Sequence, residues 1–217
     1  MSYYFTNDEN LLSEEKKINV IINHLPFSFY TDNGVFSKRG LDFGTRTLLE
    51  NLPNLKGNVL DIGCGYGPIG IFISKANDIS VDMIDINKRS LNLAIKNSKL
   101  NNVKTNVFES DLYNNVNKKY DYIITNPPIR VGKKILYKLL FDAKKYLNKN
   151  GELWFVVNKD QGAKSLFKDI SKEYDAMIIC KNKGFFIIRA INNWHVENTI
   201  VKLYIGDMYF WCMIYSV

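Results

Sequence analysis

Two short stretches of this 217-residue chain combine residue types that could hold and transform a small molecule. The first is Val59-Leu60-Asp61-Ile62-Gly63-Cys64-Gly65-Tyr66-Gly67-Pro68, an apolar run that ends in a carboxylate and closely spaced glycines. Glycine lets backbone N–H groups approach a ligand and takes positive φ without a Cβ clash. Pro68 suits the first turn of a helix, where its missing N–H costs nothing. A tight strand-to-helix turn would use the same residues, but so many glycines are entropically expensive for a turn alone. Gly65 to Gly70 also satisfies G-x-G-x-x-G, the dinucleotide pattern. Asp61 separates the two ligand classes: a carboxylate there repels a pyrophosphate but can orient the ammonium end of S-adenosylmethionine, directly or through water. Asp85 closes the next apolar run and can accept from both ribose hydroxyls of either ligand. Asp111 follows a third run, where it could accept from an adenine amino group or cap a loop.

The second stretch is Tyr122-Ile123-Ile124-Thr125-Asn126-Pro127-Pro128-Ile129. The prolines fix φ and bias the loop to an extended course, so its carbonyls point in set directions. An aromatic amine is a poor nucleophile because its lone pair is delocalised into the ring. If the Asn126 side-chain oxygen and the Pro127 carbonyl each accept one amino hydrogen, the nitrogen can pyramidalise toward an electrophilic methyl. Positioning and electrostatics then carry the rate, with no strong base and no covalent intermediate. Asn-Pro also starts ordinary turns, so the stretch gains meaning from its pairing with the glycine loop and Asp85. Arg130, Lys133 and Lys134 follow directly and could contact phosphates beside an extruded base; a solvated helix start would look the same.

These loops need strands to end where they begin. From Asn58 onward, apolar runs at Asn58–Ile62, Ser80–Ile84, Thr105–Phe108, Tyr120–Thr125 and Glu152–Val157 alternate with helical periodicity at Pro68–Lys75, Lys88–Leu100, Lys133–Leu147 and Ala163–Lys172. Repeated βα winding gives a mostly parallel sheet with helices on both faces. Ala176–Cys180, the polar turn Lys181 to Gly184, and Phe185–Ala190 read as a closing antiparallel hairpin. Ahead of the core, Lys17–His24 and Phe27–Thr31 could pair, leading through Asp32 to Ser37 into a helix near Thr45–Leu52. That extension could fold over a ligand at the carboxyl edge of the sheet or merely cover an edge strand. Residues 191–217 form an atypical apolar tail, with charges at Lys202 and Asp207 and too short a run to span a bilayer. A domain over residues 1–190, with residues 1–57 as a cap on a 58–190 core, is the expected organisation.

A chain of this size can bury one sheet-centred core without staples. Cys64, Cys180 and Cys212 are widely separated, and no cleavable apolar segment follows Met1, so a cytoplasmic setting is expected. Only His24 and His195 are available as histidine ligands, and a metal site is not expected. The formal charge of +7 and pI near 9.1 suit a polyanionic partner, although lysine-rich composition also follows from an AT-rich genome.

Several motifs converge on one family. Gly34-Val35-Phe36-Ser37-Lys38, Leu41-Asp42-Phe43-Gly44-Thr45, the run from Asp61 to Gly70, and Asn126-Pro-Pro-Ile-Arg-Val-Gly-Lys133 resemble the RsmC-like guanine-N2 methyltransferases of small-subunit ribosomal RNA. The resemblance spans the N-terminal hairpin to about Ala190. It implies an α/β Rossmann-like class I methyltransferase fold, with a mostly parallel seven-stranded sheet ending in an antiparallel hairpin. It also implies S-adenosylmethionine contacts at Asp61, Gly63, Gly65, Asp85 and Asp111, and amine-holding by Asn126 and Pro127. The implied partner is ribosomal RNA or the small ribosomal subunit, with no membrane and no metal. Where many amino-methylating relatives place a stacking aromatic after the prolines, this chain has Ile129, so Phe36 is the candidate stacking surface. The additional N-terminal copy of the larger members is absent from this sequence. A protein-glutamine methyltransferase and a non-catalytic RNA-binding protein that retains the cofactor fold are the alternatives.

Overall fold

The structure, a computed structural model, describes residues 12–37, 40–128 and 132–193, together with the backbone of 203–205 and 208–210. An N-terminal hairpin, β1 (Lys16–Ile22) and β2 (Leu25–Thr31), leads to α1 (Phe43–Glu50). The winding core follows as β3 (Val59–Ile62), α2 (Pro68–Asn77), β4 (Val81–Asp85), α3 (Lys88–Leu100), β5 (Thr105–Glu109), β6 (Tyr120–Thr125), α4 (Lys133–Tyr146) and β7 (Leu147–Asn158). A short 3-10 turn at Lys159–Gln161, α5 (Ala163–Ile170), and the hairpin β8 (Asp175–Asn182) and β9 (Phe185–Ile191) complete it. The seven-stranded sheet has the order β5-β4-β3-β6-β7-β9-β8, parallel except where β9 pairs antiparallel with β7 and β8. This is the expected α/β architecture, hairpin ending included.

Side-chain alternation along the strands fills two apolar layers. Val59, Met83, Ile124, Trp154 and Val156 face α1, α2 and α3, with Leu48, Leu49, Ile71 and Leu91 packed against them. Leu60, Ile84, Ile123, Phe155 and Val157 face α4 and α5, meeting Leu136, Leu140 and Leu166. Both sheet faces are therefore covered, as a parallel sheet requires. Winding reverses between β3 and β6, and in such sheets ligands sit outside the carboxyl ends of the strands at that reversal.

The boundaries differ from the sequence reading in instructive places. His24 lies in a turn, not in a strand: Asn23 and His24 have φ of 46° and 64°, the two left-handed positions of a two-residue hairpin turn. The closing hairpin turns the same way on Lys183 and Gly184 alone, φ 44° and 84°, so Lys181 and Asn182 belong to β8. Strand β7 begins at Leu147, five residues before the alternation becomes visible, because a register shift against β6 interrupts the pattern there.

The N-terminal hairpin does not roof the sheet's carboxyl edge; it lies along α3. Asn97 and Asn101 act as a substitute strand: their side-chain oxygens accept from Tyr30 N–H (2.6 Å) and Ser28 N–H (3.2 Å), and their amides donate back to Tyr30 O (2.9 Å) and Ser28 O (2.7 Å). That pairing satisfies the outer edge of β2. The following loop, through Phe36 and Ser37, and the start of α1, through Asp42 and Thr45, reach the cavity described below. Of the C-terminal tail, short strands β10 (Leu203–Ile205) and β11 (Met208–Phe210) pair with each other; the rest of residues 194–217 lies outside the described residues. No described helix is long and apolar enough to cross a membrane.

Candidate active site

The carboxyl ends of β3 to β7 open into one cavity of about 520 Å³, within the range of cofactor sites. The glycine loop forms one wall. Gly63 and Cys64 N–H groups both donate to Ile84 O at 2.9 Å, and Gly65 N–H donates to Asp85 Oδ2 at 2.9 Å, so the loop is tied to β4 along its length. Gly63 and Gly65 have φ of 71° and 56°, and a Cβ on either would meet only open space. The strain is in the backbone, and the open side belongs to whatever the cavity holds.

Asp85 accepts backbone N–H bonds from Gly65 on Oδ2 and from Asn87 on Oδ1 (2.8 Å), and a further one from Ile86. A carboxylate has about four acceptor sites, so capacity remains for a ribose hydroxyl. Burial pushes its pKa upward against the pull of these N–H donors. Next to it Ile86, 39% exposed, and across the cavity Leu112 offer apolar flanks for a flat base, with exposed Asp111 beside them. This set fits a nucleoside carrying a short charged chain.

Asp61 does not line the cavity. It is fully buried beneath the loop, on the α2 side of β3. Its Oδ2 accepts from Gly70 N–H at 2.9 Å. The α2 N-cap is Gly67, which has no side chain to cap with, so Asp61 supplies from the strand the oxygen that the helix start lacks. In this position Asp61 holds the start of the helix that carries the loop. The other oxygen, Oδ1, has no hydrogen-bond partner among the described residues. Burial, reinforced by Asp85, pushes the Asp61 pKa up to about 8 despite the Gly70 N–H.

A folded-state pKa raised above the unfolded value means that folding favours the protonated form, so stability falls as pH rises between the two values. Wild-type protein without cofactor is expected to lose about 2 kcal/mol between pH 6 and 8.5. Asp61→Asn, which keeps an acceptor for Gly70 without the charge, should lose little of this. Denaturant melts of both proteins at the two pH values check it; equal losses would contradict the assignment.

Opposite the glycine loop stand Asn126 and Pro127 at the end of β6, with Phe36, 49% exposed, at the mouth. Lys133 starts α4 outside the cavity wall, its Nζ 4.9 Å from the Tyr137 ring centre. Ile129 and Arg130 lie outside the described residues.

The structure adds residues that the motif reading left without a role. Asp42 and Thr45 meet Asn126: its Nδ2 donates to Thr45 Oγ1 at 2.8 Å and to Asp42 Oδ2 at 3.1 Å. Asp42 is also the N-cap of α1, accepting from Thr45 N–H at 2.9 Å. An Asp directly before a helical run is a capping signal readable in sequence; the contact with Asn126, 84 residues away, is not. Phe185 also lines the cavity, resting on Phe43 at 5.7 Å and against Gly44, where a Cβ would come within 2.8 Å of its ring.

Comparison with known proteins agrees with this geometry. Residues 26–189 match the family model described as the methyltransferase small domain. The chain is 36% identical over 195 residues to the Bacillus subtilis protein YbxB, covering 87% of this chain and 97% of that one. It is 45% identical over 130 residues to ribosomal RNA small subunit methyltransferase C of Vibrio vulnificus, covering 58% of this chain but 38% of the relative. The chain thus spans half or less of that longer relative. Among solved structures, the Thermus thermophilus 16S rRNA N2 G1207 methyltransferase RsmC, in complex with AdoMet and guanosine, superposes with a TM-score of 0.73 at 22% identity, over 82% of this chain and 50% of that one. The chain belongs to the methyltransferase small domain family and is an S-adenosylmethionine-dependent methyltransferase.

Proposed function

We propose that this chain methylates the exocyclic N2 amine of a guanine in small-subunit ribosomal RNA. The observation that carries the proposal is the orientation of the Asn126 amide. An aspartate carboxylate accepting hydrogen bonds must face the NH₂ end of an amide, and both Nδ2 hydrogens are used on Asp42 and Thr45. A flipped amide would set its oxygen against the acceptor-only Asp42 carboxylate, so Oδ1 is the end presented to a substrate. Together with the Pro127 carbonyl it can accept both hydrogens of a planar amine and bring its lone pair out of conjugation.

When bound, S-adenosylmethionine supplies an electrophilic sulfonium methyl. The residues of this chain fix the amine before reaction, so little reorganisation accompanies transfer. Thr45 completes the hold, accepting from Asn126 while its own hydroxyl lies 3.4 Å from Asp42 Oδ2. Phe36 offers a face on which an unstacked base can rest.

The relatives named for ribosomal RNA methylation and the positive charge favour RNA over protein as acceptor. Beside the cavity, Lys159, Lys181 and Lys183 gather at the closing hairpin. Lys183 Nζ is 5.0 Å from the Phe43 ring centre, Lys181 Nζ is 5.1 Å from that of Phe186, and Lys159 N–H donates to Gly184 O at 2.7 Å. All three are exposed, and Asn158, Gln161 and Phe185 between them line the cavity. Replacing the three lysines with glutamine is expected to reduce the slope of log affinity for RNA against log salt by about 2–3. An unchanged slope, measured by filter binding across salt, would remove this surface from the RNA path.

The acceptor class is tested by offering labelled methyl donor to naked ribosomal RNA, small subunits and release factors in parallel. Label is expected in RNA. Label in protein alone would overturn the proposal and favour glutamine-amide methylation.

A further inference from the structure

We infer that Asp42 is a specificity-determining residue that selects guanine by accepting a hydrogen bond from the ring N1–H beside the target amine; this rests on the guanine reading above. Asp42 borders the cavity, and its two oxygens have separate surroundings. Oδ2 is occupied by Thr45 N–H (2.9 Å), Asn126 Nδ2 (3.1 Å) and Thr45 Oγ1 (3.4 Å). Oδ1 has no hydrogen-bond partner among the described residues, and Asp42 is only partly buried. A capping carboxylate needs one oxygen for its helix. The second is left at the wall of a site built for a base.

The edge chemistry of the bases then decides. Three bases carry an exocyclic amine: guanine, adenine and cytosine. In adenine the ring nitrogen next to the amine, N1, is a bare lone pair, and in cytosine N3 is the same. Only in guanine is the neighbouring ring nitrogen protonated, giving two adjacent donors, N1–H and N2–H. Asp42 and Asn126 are directly hydrogen-bonded to each other, so the free Asp42 oxygen and the Asn126 oxygen form one linked pair of acceptors. That pair matches guanine. Against adenine or cytosine it sets an acceptor oxygen against a lone pair, the kind of buried mismatch on which sites discriminate most strongly. A glutamine amide, whose amine neighbours a carbonyl oxygen, is rejected for the same reason.

The test uses an RNA spanning the methylated position, carrying there either guanine or 2-aminopurine, which keeps the N2 amine but has a lone pair at N1. Wild-type protein is expected to favour guanine by about 100-fold in kcat/KM. In Asp42→Asn the cap is kept, since Asn caps as well as Asp. The Asn oxygen is held by Thr45 and Asn126, turning the NH₂ toward the base. The preference should then fall to near parity or reverse, and 2-aminopurine fluorescence titrations should show that RNA binding the variant more tightly than the wild type. Thr45→Ala should slow transfer to both RNAs while leaving their ratio as in wild type, separating the hold on Asn126 from base reading. If wild-type protein treats the two RNAs alike, or if Asp42→Asn keeps the wild-type ratio while N2-methylguanosine is the product, the role of Asp42 is overturned and the guanine reading stands. If the wild-type product is N6-methyladenosine or N4-methylcytidine, both fall together.

Discussion

Asn126→Ala is expected to lower the methyl-transfer rate by about 10³-fold, roughly 4 kcal/mol in the barrier, while cofactor affinity stays within about threefold by calorimetry. The side chain is anchored away from the glycine loop, on Asp42 and Thr45, and neither Gly65 nor Asp85 depends on it. Removing it should therefore spare the cofactor half of the cavity. What is lost is an acceptor that takes one amino hydrogen and, with the Pro127 carbonyl, localises the nitrogen lone pair. Residual activity should come from the carbonyl and from proximity alone. The α1 cap survives, because the Asp42 bond to Thr45 N–H does not involve Asn126. Single-turnover transfer with saturating cofactor is the proper measurement. A loss smaller than tenfold would contradict amine-holding by this side chain, and a parallel loss of cofactor affinity would indicate a structural role.

Gly70→Val is expected to destabilise the protein by more than about 3 kcal/mol and to lower the thermal midpoint by about 10 °C. Gly70 has ordinary helical geometry, so φ is not the reason. A Cβ there would lie 2.3 Å from Met83 Sδ and 2.5 Å from Met83 Cγ, with Asp61 Oδ2 at 3.3 Å. Met83 is fully buried in the centre of β4, so any shift must displace its packed neighbours. Helix α2 can approach the sheet closely enough for Gly70 N–H to reach Asp61 because no side chain separates them. Gly70→Ala should cost less than Gly70→Val but more than a typical surface change. Thermal unfolding of both variants decides; a midpoint within about 2 °C of wild type for Gly70→Val would show that the packing tolerates a branched side chain there.

These two predictions mark what was legible in the sequence. Alternating apolar runs and the glycine and Asn-Pro-Pro punctuation located the strands that end at the cavity, because a strand buried on both faces leaves a continuous apolar signature and its loop carries the chemistry. Asp61 was recognisable as special, but its role was not. One carboxylate at the end of a strand looks the same whether it faces a ligand or turns to the opposite layer to hold a helix start. The parity of β3 puts Val59 and Asp61 on the face toward α2, and Leu60 and Ile62 on the other.

The contact of Asp42 and Thr45 with Asn126 was beyond local reading. It joins two elements across 81 and 84 residues, and nothing in the spacing of either motif requires it. The N-terminal hairpin was visible as alternation, yet its docking depended on Asn97 on α3 and Asn101 at the C-cap of that helix, which read as ordinary polar positions. Both are in fact buried, and Asn97 also donates to Tyr66 O at 2.9 Å, linking the hairpin to the glycine loop. Buried asparagines on an otherwise amphipathic helix are a signal that a neighbouring backbone edge needs partners.

Digesting methylated small-subunit RNA to nucleosides and identifying the labelled species tests the central claim most directly. This account predicts that the label resides in N2-methylguanosine; label in N6-methyladenosine or N4-methylcytidine would contradict it.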